Sequence, residues 1–292
     1  ACSLLGPFLA EKMGTTPQNG YQRAMIVLTV IMVISFLVAG KVCKERVPQS
    51  VQPKEEKFGF KEMFAQFTHN KPLMILFVMY LAAYTYNILV SSVGTYFLTY
   101  NMKGTISMSI WSLMQTLPSI VPMLFVPAIA AKIGKKNTAI LGCFISFIGM
   151  VGFFFVPESA VAVLCFMKCL GAFGYGMTLA TIWATLPDCV EYGEYTTGRR
   201  AGGMIFSLAS FSIKIAMTIA GIVPTIVFMF VNYVPNGTQS AECLTAIKAM
   251  NSLVPAVILL IGIIVYKFYP LTEKRFDEIV VELTKRRLAN NN

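Results

Sequence analysis

Long apolar runs recur along the whole chain, at residues 21–40, 72–100, 106–131, 138–156, 160–186, 204–234 and 245–270. About 20 residues of helix cross a hydrocarbon core about 30 Å thick, so each run is long enough to span a bilayer. The pattern predicts an all-α, polytopic membrane protein. Residues 1–10 read as the tail of one further span. Composition agrees. The chain is 56% hydrophobic and 13% charged, against roughly 25% charged in an ordinary soluble domain.

The net charge of +10 reports topology rather than a nucleic-acid ligand. With the 41–71 segment set inside, the inside loops collect Lys41, Lys44, Arg46, Lys54, Lys57, Lys61 and Lys71, then Lys132, Lys135 and Lys136, then Arg199 and Arg200. The outside loops between the last six spans hold only Lys103. This is the positive-inside pattern, and it predicts a cytoplasmic long loop and a cytoplasmic C-terminus. The seven cysteines form no Cys-x-x-Cys pair, so neither a disulfide framework nor a metal site is expected. The chain opens inside an apolar run without Met or a basic segment, which reads as a truncated start rather than a signal peptide.

Residues 41–71 form the one long polar interval, with Pro48 and Pro53, and read as a linker between two helix bundles. Its end, residues 58–68, has the apolar spacing of a short interfacial helix. Residues 271–292 return to a helical rhythm through Leu271, Phe276, Ile279, Val280 and Leu283, predicting an amphipathic tail helix.

Lys214 stands near the middle of the 204–234 run, while all fourteen carboxylates lie outside the long apolar runs. A cation at bilayer depth costs about 2.5–3.5 kcal/mol on insertion scales unless it is paired or faces water. Lys214 lies about 15 Å from the inside end at 1.5 Å per residue, too deep to snorkel comfortably. It is therefore the first functional candidate. Lys168 and Lys248 stand nearer the outer ends of their spans, where snorkelling to the interface is the expected reading.

Two further patterns carry chemistry. In the 72–100 run, Tyr80, Tyr84, Asn87, Ser91 and Thr95 follow spacings that align them on one helix face. Hydroxyls and an amide beside aromatic rings suit a sugar, although hydrogen bonding between helices explains them equally well. Gln115 and Thr116 are weaker candidates of the same kind, on a helix expected to bend at Pro118, Pro122 and Pro127. The second pattern is the strip Asp188, Glu191, Glu194, Arg199 and Arg200 at an inside turn. Its charges suit pairing with neighbouring basic loops, closing that end of a bundle in one state and releasing it in another. Gly171, Ala172, Gly174 and Gly176 are read as a close-packing surface.

Asp-x-x-Glu-Tyr-Gly-Glu-Tyr-x-Thr-Gly-x-Arg from Asp188, followed by Ile205-Phe206-Ser207-Leu208-Ala209-Ser210-Phe211-Ser212-x-Lys214, resembles the signature of the glycoside–pentoside–hexuronide:cation symporters. This family includes melibiose permease and belongs to the major facilitator superfamily. The resemblance implies a C-terminal six-helix bundle, residues 72–270, preceded by the end of an N-terminal bundle, residues 1–40. The 41–71 loop joins them and the 271–292 tail is cytoplasmic. The first four helices of the family would then be missing partners of this chain.

The resemblance also implies sugar, glycoside or hexuronide uptake by alternating access in a bacterial inner membrane, coupled to Na⁺ or H⁺. Neither a cofactor nor a metal is implied beyond that coupling ion. Lys214 matches the family lysine placed beside the cation and sugar sites, and Ser210 matches a sugar-facing position with a different residue type. Tyr80, Tyr84 and Asn87 are expected to contact substrate, and the Asp188–Arg200 strip to gate. The loop ending Gly134-Lys135-Lys136 is similar to a superfamily loop but lacks its Asp. The alternative is a transport-inactive membrane receptor of the same fold. An enzyme finds no acid pair, Ser-His couple or metal cluster in the spans to support it.

Overall fold

The computed structural model describes residues 17–43 and 67–290. Most of the inter-bundle interval and the 58–66 part of the expected interfacial helix lie outside them. Among the described residues nine α-helices follow in chain order: α1 Pro17–Val42, α2 Lys71–Tyr96, α3 Met108–Ile133, α4 Lys135–Phe155, α5 Val161–Thr197, α6 Gly202–Phe230, α7 Ala241–Asn251, α8 Leu253–Tyr266 and α9 Glu273–Asn290. Five residues of π-helix, Phe97–Asn101, extend α2. With α7 and α8 taken as one, seven helical segments among the described residues are long and apolar enough to cross a membrane.

The 245–270 run is expected as one span, yet it breaks at Ser252, which leaves helical geometry at φ −136° and ψ −70°. Pro255 explains the break. It has no N–H to donate into a continuous ladder, and its ring crowds the preceding turn. The Ser252 hydroxyl donates to the Lys248 carbonyl at 2.5 Å, satisfying one group that the interruption frees.

The bundle is held by two packing devices. Between α4 and α5 the backbones approach through glycine. A Cβ on Gly149 would meet the Gly171 nitrogen at 2.5 Å, and one on Gly174 would overlap the Gly142 oxygen. On the other side of α5, a Cβ on Gly176 would fall inside the Ser119 carbonyl of α3. The close-packing expectation for this glycine cluster therefore describes what the fold does. Around these contacts, Tyr80, Tyr86, Met150, Ile182 and Tyr266 fill one core, and Phe97, Trp111, Phe153 and Ile247 fill a second. Helix α6 lies mainly along α2.

One end of the bundle collects the start of α2, the α3–α4 turn, the α5–α6 turn and the tail helix α9; it is called the tail end below. Asn70 ties it together. Its carbonyl oxygen accepts from the Leu73 N–H at 3.0 Å as a helix N-cap, while its amide donates to the Cys189 carbonyl of α5 at 2.9 Å. Gly198 ends α5 in the left-handed region at φ 73°, where glycine carries no Cβ penalty. The tail helix docks by Ile279 and Leu283, both buried. Val280 of the expected apolar face turns outward.

Candidate functional site

Helix α6 has two sides. Its buried side is Ile205, Ala209, Ser212, Ala216 and Ala220. Directly opposite runs an exposed line at Gly203, Ser207, Ser210, Lys214, Thr218, Gly221 and Thr225, spaced by threes and fours. Its hydroxyls donate back along the helix: Ser207 to the Gly203 carbonyl at 2.8 Å, Ser210 to Phe206 at 3.0 Å and Thr218 to Lys214 at 3.1 Å. The Lys214 amine is exposed at the centre of this line, and among the described residues no carboxylate pairs with it. Phe206, Phe211, Met217 and Ile222 flank the line. The strip of small and hydroxyl residues is what a face toward water, substrate or a neighbouring helix requires. A face toward lipid would favour apolar side chains throughout.

The polar stripe of α2 divides by depth. Tyr80 is 1% exposed. Its hydroxyl donates to the Ile182 carbonyl at 3.3 Å, and its ring meets Trp183 edge-on. It sits behind the open face of α2, called the α2 wall, that Tyr84, Asn87, Ser91 and Thr95 share. Tyr84 and Asn87 are half-buried, while Ser91 and Thr95 are open. The Tyr84 hydroxyl accepts from the Trp183 indole N–H at 3.0 Å, with the Tyr80 ring stacked behind it. Trp183 thus joins the wall, 39% exposed, although its sequence neighbourhood holds no polar spacing to mark it.

Lys168 corrects an expectation. Instead of snorkelling, it is 1% exposed. Its Nζ donates to Gln115 Oε1 at 2.9 Å and lies 4.0 Å above the Trp111 ring. The Gln115 amide in turn donates to Asn87 Oδ1 at 3.4 Å. The reason is helical phase. Lys168 shares a line with Gly171, Tyr175, Thr178 and Thr185, all buried, so its stem is directed into the bundle. That spacing is readable in the sequence and carries the signal. Lys248, by contrast, reaches the loop at the outer end, donating to the Val156 carbonyl at 2.7 Å and pairing with Glu158 at 3.1 Å.

At the tail end the acid strip is gathered by cations from three directions. Asp188 pairs with Lys135 of the α3–α4 turn at 2.5 Å. Glu191 and Glu194 share Arg200 at 2.9 and 3.0 Å. The same two carboxylates take Arg287 of the tail helix at 2.8 and 2.6 Å. Glu194 foremost holds the Arg287 guanidinium's pKa above its ordinary range by hydrogen bonding. Arg199 is exposed, with its backbone bonded to the Thr197 hydroxyl. The loop that lacks an Asp acquires an acid from far along the chain: the Glu273 carboxylate accepts from the Lys135 backbone N–H at the start of α4, where the helix end favours an anion. Neither Glu273 nor Arg287 carries a local signal for these roles.

Residues 1–273 match the family model described as MFS/sugar transport protein. The "Uncharacterized symporter YnaJ" of Bacillus subtilis (strain 168) is 32% identical over 96% of the chain and 61% of its own length. The "Glucuronide carrier protein homolog" of Escherichia coli (strain K12) is 30% identical over 97% of the chain and 62% of its own length. The "Isoprimeverose transporter" of Lactiplantibacillus pentosus is 29% identical over 95% and 57%. The chain thus spans about 60% of the length of these curated relatives.

Proposed function

Because the chain belongs to the MFS/sugar transport protein family, and within it to the glycoside–pentoside–hexuronide:cation symporters, we propose that it supplies the substrate-facing C-terminal bundle of a carrier. That carrier takes up a sugar, glycoside or hexuronide by alternating access, coupled to Na⁺ or H⁺. On this reading the protein is part of a multi-pass membrane transporter rather than an enzyme. The same reading makes the membrane a bacterial inner membrane, and the basic residues that collect at the tail end support a cytoplasmic side for it.

The observation that supports this reading is the exposed line through Lys214 on α6. A lone ammonium amid hydroxyls, in a chain whose apolar runs hold no acid, suits a coupling site whose counter-charge comes from helices outside this chain. Ser210 on the same line, with Tyr84 and Asn87 on α2, offers hydrogen-bonding groups to sugar hydroxyls, and Trp183 offers a ring face. The Asp188–Arg200 strip would close the cytoplasmic end while its pairs hold, and opening would require Arg200 and Lys135 to exchange partners. Residues 1–40 would belong to the companion bundle, which completes the cavity.

The test is counterflow of labelled glycoside in vesicles holding the complete carrier that contains these residues. Exchange is expected in the wild type. In the Lys214→Val variant, accumulation driven by a sodium or proton gradient is expected to vanish. A variant that still accumulates sugar in response to the gradient removes Lys214 from the coupling site. A wild type that binds glycoside without exchange supports the receptor reading instead.

A further inference from the structure

The chain of contacts from Lys168 to Asn87 has a fixed sense. An ammonium has donors and no acceptor, so the Gln115 atom facing Lys168 Nζ at 2.9 Å is the carbonyl oxygen. Gln115 must then turn its amide nitrogen the other way, toward Asn87, at 3.4 Å. An amide nitrogen only donates, so the Asn87 atom receiving it is Oδ1. That leaves the Asn87 Nδ2 group facing away from the relay, and among the described residues no acceptor takes it. Asn87 is half-buried on the α2 wall, beside the Tyr84 position. A residue with almost no exposed surface of its own thus decides whether the wall shows a donor or an acceptor.

Burial works against the charge at the root of the relay, and two contacts support it. Lys168 lies seven residues into α5, about 10 Å along the helix. There the Gln115 carbonyl accepts from the amine, and the Trp111 face 4.0 Å away favours the charged form. No carboxylate among the described residues pairs with it. Hydrogen bonds in series polarise one another, so the outermost donor is strengthened toward an anionic acceptor.

We propose that Lys168 is a positioning and specificity-determining residue. Through Gln115 it holds Asn87 with its N–H donors presented to the cavity, so that the site selects a sugar bearing an anionic oxygen group, a carboxylate or a sulfonate, over a neutral one. This rests on the sugar-carrier reading and narrows its substrate class.

The relay can be inverted by one atom. In Gln115→Glu the introduced carboxylate still accepts from Lys168 but offers no N–H to Asn87. The Asn87 amide then turns its nitrogen toward that carboxylate and shows its carbonyl to the cavity. This variant keeps Lys168 paired, so it is expected to fold even where Lys168→Met does not.

The measurement is the ratio of binding constants for p-nitrophenyl-β-D-glucuronide and p-nitrophenyl-β-D-glucoside, read by quenching of tryptophan fluorescence in the complete carrier. The wild type is expected to prefer the glucuronide by about tenfold or more, the scale of one charge-assisted hydrogen bond. Gln115→Glu and Lys168→Met are expected to lose that preference while the glucoside still binds. Equal binding of the two probes by the wild type, or an unchanged ratio in a folded Gln115→Glu variant, overturns the inference and leaves the carrier reading intact. A wild type that binds neither probe and exchanges neither in counterflow overturns the sugar-carrier reading, and this inference with it.

Discussion

Arg287 grips Glu194 side-on, its Nε 2.9 Å from Oε1 and its Nη2 2.6 Å from Oε2. Nη2 also reaches Glu191 at 2.8 Å. The contact closes 93 residues of chain and fastens the tail helix to the strip assigned to the gate. A planar fork fits a carboxylate with two parallel bonds, a geometry an ammonium cannot reproduce.

Replacing Arg287 by Lys therefore keeps the charge and loses the fork. We expect α9 to exchange its amide hydrogens faster than in the wild type, with the part of α5 before residue 186 unchanged. Arg287 is 39% exposed at its side chain, so water screens the pair and the loss is on the order of 1 kcal/mol. Hydrogen exchange read by mass spectrometry on peptides covering Glu273–Asn290 checks it. Unaltered exchange would mean that the fork adds nothing to the hold of Ile279, Leu283 and the Glu273 contact.

The Lys135–Asp188 pair is as well sheltered as Arg200–Glu194, with side chains 31% and 11% exposed in each. Lys135→Met strands a carboxylate that is mostly out of water, and Asp188→Asn strands less because the amide remains neutral. A double-mutant cycle on thermal unfolding in detergent is expected to give a coupling of about 1–3 kcal/mol, the range for a hydrogen bond to a charged group. Additive losses would show that the two residues act separately.

How far the sequence reaches is visible at individual residues. Spans are legible because lipid demands long apolar runs, and the line at Ser207, Ser210 and Lys214 is legible because helical spacing is local. Asp188, Glu191 and Glu194 announce a cluster of charge, but their partners Lys135 and Arg287 lie 53 and 93 positions away, and nothing local marks such a pairing. Lys168 is misread for a different reason. Its nearness to the outer end outweighs its phase with the buried residues Gly171, Tyr175 and Thr178, yet phase decides where a stem points. Tyr80 shows the reverse error. Its spacing is right for the stripe, but the neighbouring Trp183 and Ile182 enclose it.

Gly176 gives a test of the fold itself. A methyl group there would press into the Ser119 carbonyl, and backbone cannot step aside as a flexible side chain can. Gly176→Ala is expected to cost about 1–3 kcal/mol or more by overpacking, seen as a lower unfolding temperature. Gly221→Ala, where nothing lies within 4 Å, is expected to be neutral or to gain up to about 1 kcal/mol from helix propensity. Equal behaviour of the two would refute the α3–α5 approach.

Glu158 supplies a pH dependence outside the spans. Partial burial pushes its carboxyl up, but its own backbone N–H and the Lys248 ammonium outweigh this and hold it below the usual carboxylate range. A depressed pKa contributes stability that is full above the unfolded value near 4.3 and lost as pH falls through the folded value. The unfolding temperature should therefore drop more steeply below about pH 4.5 in the wild type than in Glu158→Gln. Parallel curves would show that the Lys248 contact has no energetic weight.

Whether the α6 line faces water decides most of what has been proposed for Lys214. Single cysteines at Ser207, Ser210, Thr218 and Thr225 sit on that line, and cysteines at Phe211 and Ile222 sit on its apolar flanks. A membrane-impermeant maleimide reacts with a hydrated thiolate and not with a thiol in hydrocarbon. In the complete carrier we expect the first set to label and sugar to protect Ser210→Cys, with the flanking pair unreactive. Were the line inert and the flanks inert alike, the amine of Lys214 would be facing lipid at a cost of several kcal/mol. No coupling role would then explain its position. Labelling of the line without protection by sugar would keep the aqueous face and move the substrate off α6, toward the wall of Tyr84 and Asn87.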